Sequence, residues 1–95
     1  MKITFSARHF EASEKLQQFT TDQIRVLKKY FDGVLNAEVV LDEHGTLKEV
    51  EIRVTMLGKV LNAKTSGEDF YKVIPKAVEK IEVQVKSTKE KALGR

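Results

Sequence analysis

Residues 66–95 read SGEDFYKVIPKAVEKIEVQVKSTKEKALGR. On a helical wheel of about 100° per residue, Phe70, Ile74, Ala77, Val78, Ile81 and Val85 fall in one arc roughly 100° wide. Lys72, Lys76, Lys80 and Lys91 share an opposite arc, with Gln84 and Ser87 lying between Lys80 and Lys91. A helix with one apolar stripe must lay that stripe on another layer, so the preceding residues have to supply a surface. Ser66 followed by Asp69 resembles a capping box with Asp in place of Glu, which would start the helix. Pro75 lacks an N–H and clashes with the preceding turn, a cost of about 3 kcal/mol in a helix interior. The expectation is either a regular helix from about Ile74 after a tighter first turn, or a kink.

Working back toward the N-terminus, the required surface is a sheet. Leu47 to Leu57 alternates, with Val50, Ile52, Val54 and Met56 on one side and Glu49, Glu51, Arg53 and Thr55 on the other. That is the period of a half-buried strand. Val34 to Leu41 is strand-like, with Ala37, Val39 and Leu41 on one face, and residues 42–46 (DEHGT) are the cluster expected to close a hairpin. Gly58 and Lys59 turn the chain into Val60 to Thr65, with Leu61 and Ala63 inward. Lys2 to Arg8 places Ile3, Phe5 and Ala7 on one side. Between the first two strands, Leu16, Phe19, Ile24, Val26, Leu27, Tyr30 and Phe31 span an arc of roughly 160°, a second amphipathic helix. Ser13 is its N-cap, it runs to about Asp32, and Gly33 stops it. The expected class is α+β, in the order β-α-β-β-β-α. A four-stranded sheet would carry both helices on one face, like a double-stranded-RNA-binding domain, with the other face polar.

Ninety-five residues make one domain, 1–95, with a single core. The absence of cysteine removes disulfides and thiolate chemistry and suits a reducing cytoplasm. His9 and His44 lie far apart in sequence without ligand spacing, so no metal site is expected. The five glycines are isolated, which excludes a glycine-rich phosphate loop, and neither a nucleophile elbow nor a carboxylate pair forced into one pocket is present. The expectation is no enzyme, cofactor, small-molecule substrate or membrane span.

Charge points elsewhere. Thirteen of the 17 basic residues and 13 of the 14 acidic ones lie at or before Val85. The last ten residues, with Lys86, Lys89, Lys91 and Arg95 against Glu90, therefore supply the whole net charge of +3. A helix C-terminus favours cations, but four exceed what capping needs, and a phosphate backbone is the natural anionic partner. Lys72, Lys76 and Lys80 read as an ordinary solvated face or as an extension of that patch. Arg25, Lys28 and Lys29 near the end of the first helix stabilise its dipole and form a second candidate patch. Beyond Val85 the tail has few apolar contacts and is expected to fray unless an anion orders it. The outward strand positions offer no aromatic platform for base stacking, and no GxxG clamp exists, so recognition would be by shape and phosphate.

IxFSARHFEAS at the start, RVLKKYFDG ending the first helix, the regular third strand and EDFYKVIPKAVEKIEVQVKSTKEK resemble, in that order, the ribosome hibernation promoting factor family. The same family is also called ribosome-associated inhibitors or sigma factor modulation proteins. The resemblance implies the β-α-β-β-β-α fold and a cytoplasmic protein that binds rRNA in the mRNA and tRNA channel of the small ribosomal subunit. There it would inhibit translation in resting or stressed cells, and off the ribosome a monomer is expected. By resemblance Arg8 and His9 match the basic pair after the first strand, and Lys28 and Lys29 match the basic end of the first helix. Lys80, Gln84, Lys86, Lys89 and Lys91 match the family's Gln and Lys/Arg ladder. With Arg25 and Lys76 these are the candidate rRNA contacts. Ser87 and Thr88 depart from the basic and aromatic residues relatives often carry there. Ending at Arg95, the chain resembles the short form, without the extra domain by which long members pair ribosomes. The alternative is a protein-interaction module that docks on a regulatory protein such as a sigma factor.

Overall fold

The alternating and helical stretches become β1 (Lys2–Arg8), α1 (Glu14–Tyr30), β2 (Val34–His44), β3 (Leu47–Met56), β4 (Lys59–Gly67) and α2 (Phe70–Ala92). The structure, a computed structural model, describes residues 1–30 and 33–92, with the backbone alone at Lys29, Tyr30 and Leu35. The expected helix end at Asp32 and the inward placing of Tyr30 and Phe31 lie outside the described residues. The sheet order is β1-β2-β3-β4. β1 runs parallel to β2, and α1 supplies the crossover that such a pair needs. β2 with β3 and β3 with β4 are antiparallel hairpins.

The first hairpin is tighter than the sequence pattern predicts, and the second turns one residue earlier. His44 pairs with Leu47, so the first turn is Gly45 and Thr46 alone, with Gly45 at φ +60°. Asp42, Glu43 and His44 stay in the strand, where cross-strand partners hold them: Glu43 pairs with Lys48, and the Asp42 carboxylate meets both imidazoles. The second turn is Leu57 and Gly58, at φ +50° and +73°, with Met56 paired to Lys59. Positive φ at both central residues is the turn whose twist suits a two-residue hairpin.

The start of α2 also differs. Ser66 belongs to β4, and Asp69 itself is the cap, its Oδ1 accepting the Tyr71 N–H at 2.9 Å. The Asp69 carbonyl accepts from Lys72 and Val73, closing the first turn ahead of Pro75. The helix therefore does not wait for Ile74 to begin, and it passes Pro75 without interruption. Pro75 leaves the Tyr71 carbonyl without its usual donor, but Tyr71 is exposed and water can serve. Gly67 sits where a Cβ would come within 2.7 Å of Val73 Cγ2, so the strand-to-helix corner needs glycine. At the far end α2 stays helical through Ala92, seven residues past Val85. The spacing of Glu82, Lys86 and Glu90 gives opposite charges four apart, which supports an exposed helix end. Ser13 caps α1 as expected, its Oγ accepting the Leu16 N–H at 3.1 Å.

Both helices lie on one sheet face. Ala37, Val39 and Leu41 of β2 and Val50, Ile52, Val54 and Met56 of β3 are buried against Ile24 and Leu27 of α1 and Ile74, Ala77, Val78, Ile81 and Val85 of α2. Among the described residues Thr20 is the buried polar one, and its hydroxyl donates to the Leu16 carbonyl at 2.8 Å. α2 covers β3 and β4 while α1 covers β1 and β2. Each helix thus meets an edge of the sheet along its flank, and two clefts follow from that packing.

Candidate nucleic-acid interface

The larger cleft, about 590 Å³, runs between the β4 edge and α2 and is lined by Lys64, Thr65, Ser66, Lys76, Glu79, Lys80 and Val83. Helical spacing puts residues 76, 79/80 and 83 on one flank, and Lys64, at the β4 edge, borders the groove from the outer sheet face, where its ammonium meets Glu49 at 3.3 Å. Lys76 and Lys80 against Glu79, with Lys64 at the rim, give the groove a positive field, and the Ser66 hydroxyl adds a donor suited to phosphate oxygens. The walls are firm: the Thr65 hydroxyl donates to the Val73 carbonyl at 3.2 Å, and the Gln84 amide donates to the Asn62 carbonyl at 2.7 Å. Gln84 thus bolts α2 to β4 at one end of the groove. Lys86 and Lys91 stand exposed and Lys89 half-buried on the turns beyond.

Other predicted contacts fall elsewhere. Arg25 and Lys28 line a second cleft of about 450 Å³ between α1 and β1, with Met1, Ile3, Phe5 and Thr21. Arg25 also pairs with Asp22 at 3.6 Å, an exposed i,i+3 contact. The side chain of Lys29 lies outside the described residues. Arg8 ends β1, opposite Asp42 on the outer sheet face. His9 follows at φ +65° and directs its Nδ1 to Asp42 Oδ1 at 2.7 Å. The predicted residues are therefore gathered in three places: the β4–α2 flank, the α1–β1 cleft and the end of β1.

The outer sheet face is polar, as expected. Arg53 pairs with Glu38 at 3.7 Å and Glu51 at 3.8 Å, Lys64 with Glu49 at 3.3 Å, and Asn62 donates to Glu51 at 2.9 Å. No Phe or Tyr stands on it among the described residues, since the rings of Phe10 and Phe70 stack with each other and Phe19 meets Tyr71 edge-on. A face of paired charges, with imidazoles at one end only, offers bases no Phe, Tyr or Trp platform to stack on.

Two features were missed from sequence. Lys64 borders the groove at the β4 edge, and the period-2 signal was there: with Leu61 and Ala63 inward, Lys64 had to stand on the outer face of that edge strand. His9 and His44 were set apart because of their distance along the chain, yet their rings lie 5.0 Å apart. The parallel pairing of β1 with β2 brings Arg8 level with Asp42, and Asp42 and His44, two apart, share a strand face. The Asp42 carboxyl is held below the usual carboxylate range, chiefly by the His9 hydrogen bond and further by the charge of His44, against a smaller opposing effect of burial.

Known proteins share this architecture. The family described as Sigma 54 modulation protein / S30EA ribosomal protein matches residues 3–92. The ribosome hibernation promoting factor of Pseudomonas putida is 25% identical over 91 residues, covering 96% of this chain and 89% of its own. That of Acidithiobacillus ferridurans is 34% identical over 74 residues, or 75% of this chain and 95% of its own. A ribosomal subunit interface protein from Coxiella burnetii has the same fold, with a TM-score of 0.87 at 22% identity over 95% of this chain and 99% of that one. The N-terminal domain of Thermus thermophilus Protein Y superposes with a TM-score of 0.84 at 29% identity, covering 93% of this chain and 99% of that one. With the match running nearly end to end, the chain belongs to the Sigma 54 modulation protein / S30EA ribosomal protein family.

Proposed function

We propose that this protein is a cytoplasmic ribosome hibernation factor that binds rRNA of the small subunit in the mRNA and tRNA channel and inhibits translation in resting or stressed cells. The observation that carries the reading is the lysine-lined groove between β4 and α2, with further lysines on the distal turns of α2, in a chain of this family. Lysines held on a rigid helix and an edge strand neutralise phosphates without reading bases. That no Phe or Tyr among the described residues stands on the outer face fits that mode. The body is slender, 45 × 20 × 18 Å, a shape compatible with lying along a channel. Inhibition follows by occupancy: a domain seated there excludes mRNA and tRNA, and no bond needs to be made or broken. Off the ribosome the protein is a monomer, since both helices find their apolar partner within the same chain.

The test is translation initiation with purified components. Added protein should bind isolated small subunits and lower initiation in proportion to occupancy. Lys28→Ala and Lys80→Ala should each weaken binding in part while changing stability by no more than about 0.5 kcal/mol, as surface substitutions do. Complete loss from either one would contradict a distributed phosphate footprint. Binding to a sigma factor but not to small subunits would favour the protein-docking alternative.

A further inference from the structure

The end of the sheet where β1 and β2 finish carries two carboxylates and two imidazoles in one cluster. Asp42 lies directly opposite Glu49 across the β2–β3 ladder. Like charges facing each other across two strands are unfavourable unless something positive sits between them. Both histidines turn toward that pair: His9 Nδ1 is 2.7 Å from Asp42 Oδ1, and His44 Nε2 is 3.1 Å from Asp42 Oδ2 and 3.7 Å from Glu49 Oε1. His9 reaches its place through a left-handed backbone at φ +65°, a conformation that costs a non-glycine residue energy and is kept here at the end of β1.

We propose that His9, Asp42 and His44, with Glu49 as the fourth ligand, form a binding site for one Zn²⁺ ion. One donor atom from each of His9, Asp42 and His44 lies within 4.8 Å of the others. Four ligands about 2.0–2.1 Å from a tetrahedral ion stand about 3.3–3.4 Å from one another. Three separations, 2.7 and 3.1 Å to the two Asp42 oxygens and 3.7 Å from His44 to Glu49, bracket that value, and side-chain rotations of these exposed rings would close the shell around one Asp42 oxygen. Two imidazoles and two carboxylates are a donor set zinc accepts, and a double positive charge resolves the Asp42–Glu49 confrontation better than one imidazole does. The ligands come from a β1 end and two paired strands, a frame that the ladder holds in register. Glu49 can serve without giving up its neighbour, because Oε1 faces His44 whereas Oε2 faces Lys64 at 3.3 Å. Access is open: the side chains of His9 and His44 are 64% and 48% exposed. Arg8 and Lys64 border the site and moderate its affinity.

Metal-stripped full-length protein titrated with zinc chloride, followed by calorimetry and by the ¹H–¹⁵N resonances of the histidine rings, decides the matter. One ion per chain should bind, both rings should shift together, and His9→Gln and His44→Gln should each weaken binding at least about tenfold, the least expected when even outer-sphere partners change affinity by about 10–100-fold. The double variant should lose saturable binding. All the substituted side chains are on the surface, and far-UV circular dichroism checks the fold. Should a variant fail to fold, the ring shifts of the parent alone decide. Absence of saturable binding, movement of only one ring, or binding that survives the double substitution would overturn the site.

Discussion

Leu57 holds φ at +50° in the β3–β4 turn and is nearly half exposed, so its side chain gives back little for the backbone it occupies. Asn tolerates the left-handed region, and Asn followed by Gly is the favoured pair for such a turn. Leu57→Asn should therefore stabilise the protein by about 0.5–1 kcal/mol, read as a higher urea midpoint with an unchanged slope. A lower midpoint would show that Leu57 is held by packing. His9 is the other non-glycine residue at positive φ, and its ring contact makes Asp42 pH-sensitive. The Asp42 carboxyl titrates lower when folded than unfolded, so its stabilising contribution is present above the ordinary aspartate range, near pH 3.9, and is lost as pH falls through the folded value. Acid unfolding of the parent should include that loss, and Asp42→Asn should lack it while being less stable at neutral pH. Identical acid profiles would mean that the contact carries no linkage.

At the scale of elements, α2 connects the core to the surface that meets a partner. Ile81 is fully buried at its centre, in the core that α2 shares with the sheet, so Ile81→Ala should cost about 2–5 kcal/mol by chemical denaturation. A loss under about 1 kcal/mol would mean that the helix does not rest on the sheet as described. This helix and the β3 alternation were legible because their apolar periods are long and regular. The same holds for the order of elements and for the Ser13 cap. Turns were less legible, because DEHGT looks like loop until Asp42, Glu43 and His44 find partners on other strands. The α2 cap was misplaced by three residues because Ser66 and Asp69 both have capping chemistry, and only the extent of β4 decides between them. Of the predicted contacts, Lys76 and Lys80 came together with Lys64, while Gln84 turned out to brace the helix. Parallel pairing of β1 with β2 joined Arg8 and His9 to Asp42, a long-range neighbourhood no local pattern encodes.

For the whole molecule, the central claim is that the β4–α2 flank binds phosphate through charge. Its lysines line a groove fixed by side-chain hydrogen bonds to backbone carbonyls, and the net charge of +3 arises in the last ten residues, into which the same helix continues. Affinity for small subunits should consequently fall linearly in log–log form with salt. Replacing Lys64, Lys76 and Lys80 together by Gln leaves the core untouched and removes the groove's positive charge. The most direct measurement is a binding titration with purified small ribosomal subunits at a series of salt concentrations, for the parent and this triple variant. The account predicts weaker binding and a salt slope flattened by up to about 0.7–0.9 for each phosphate no longer neutralised, and an unchanged slope with parental affinity would contradict it.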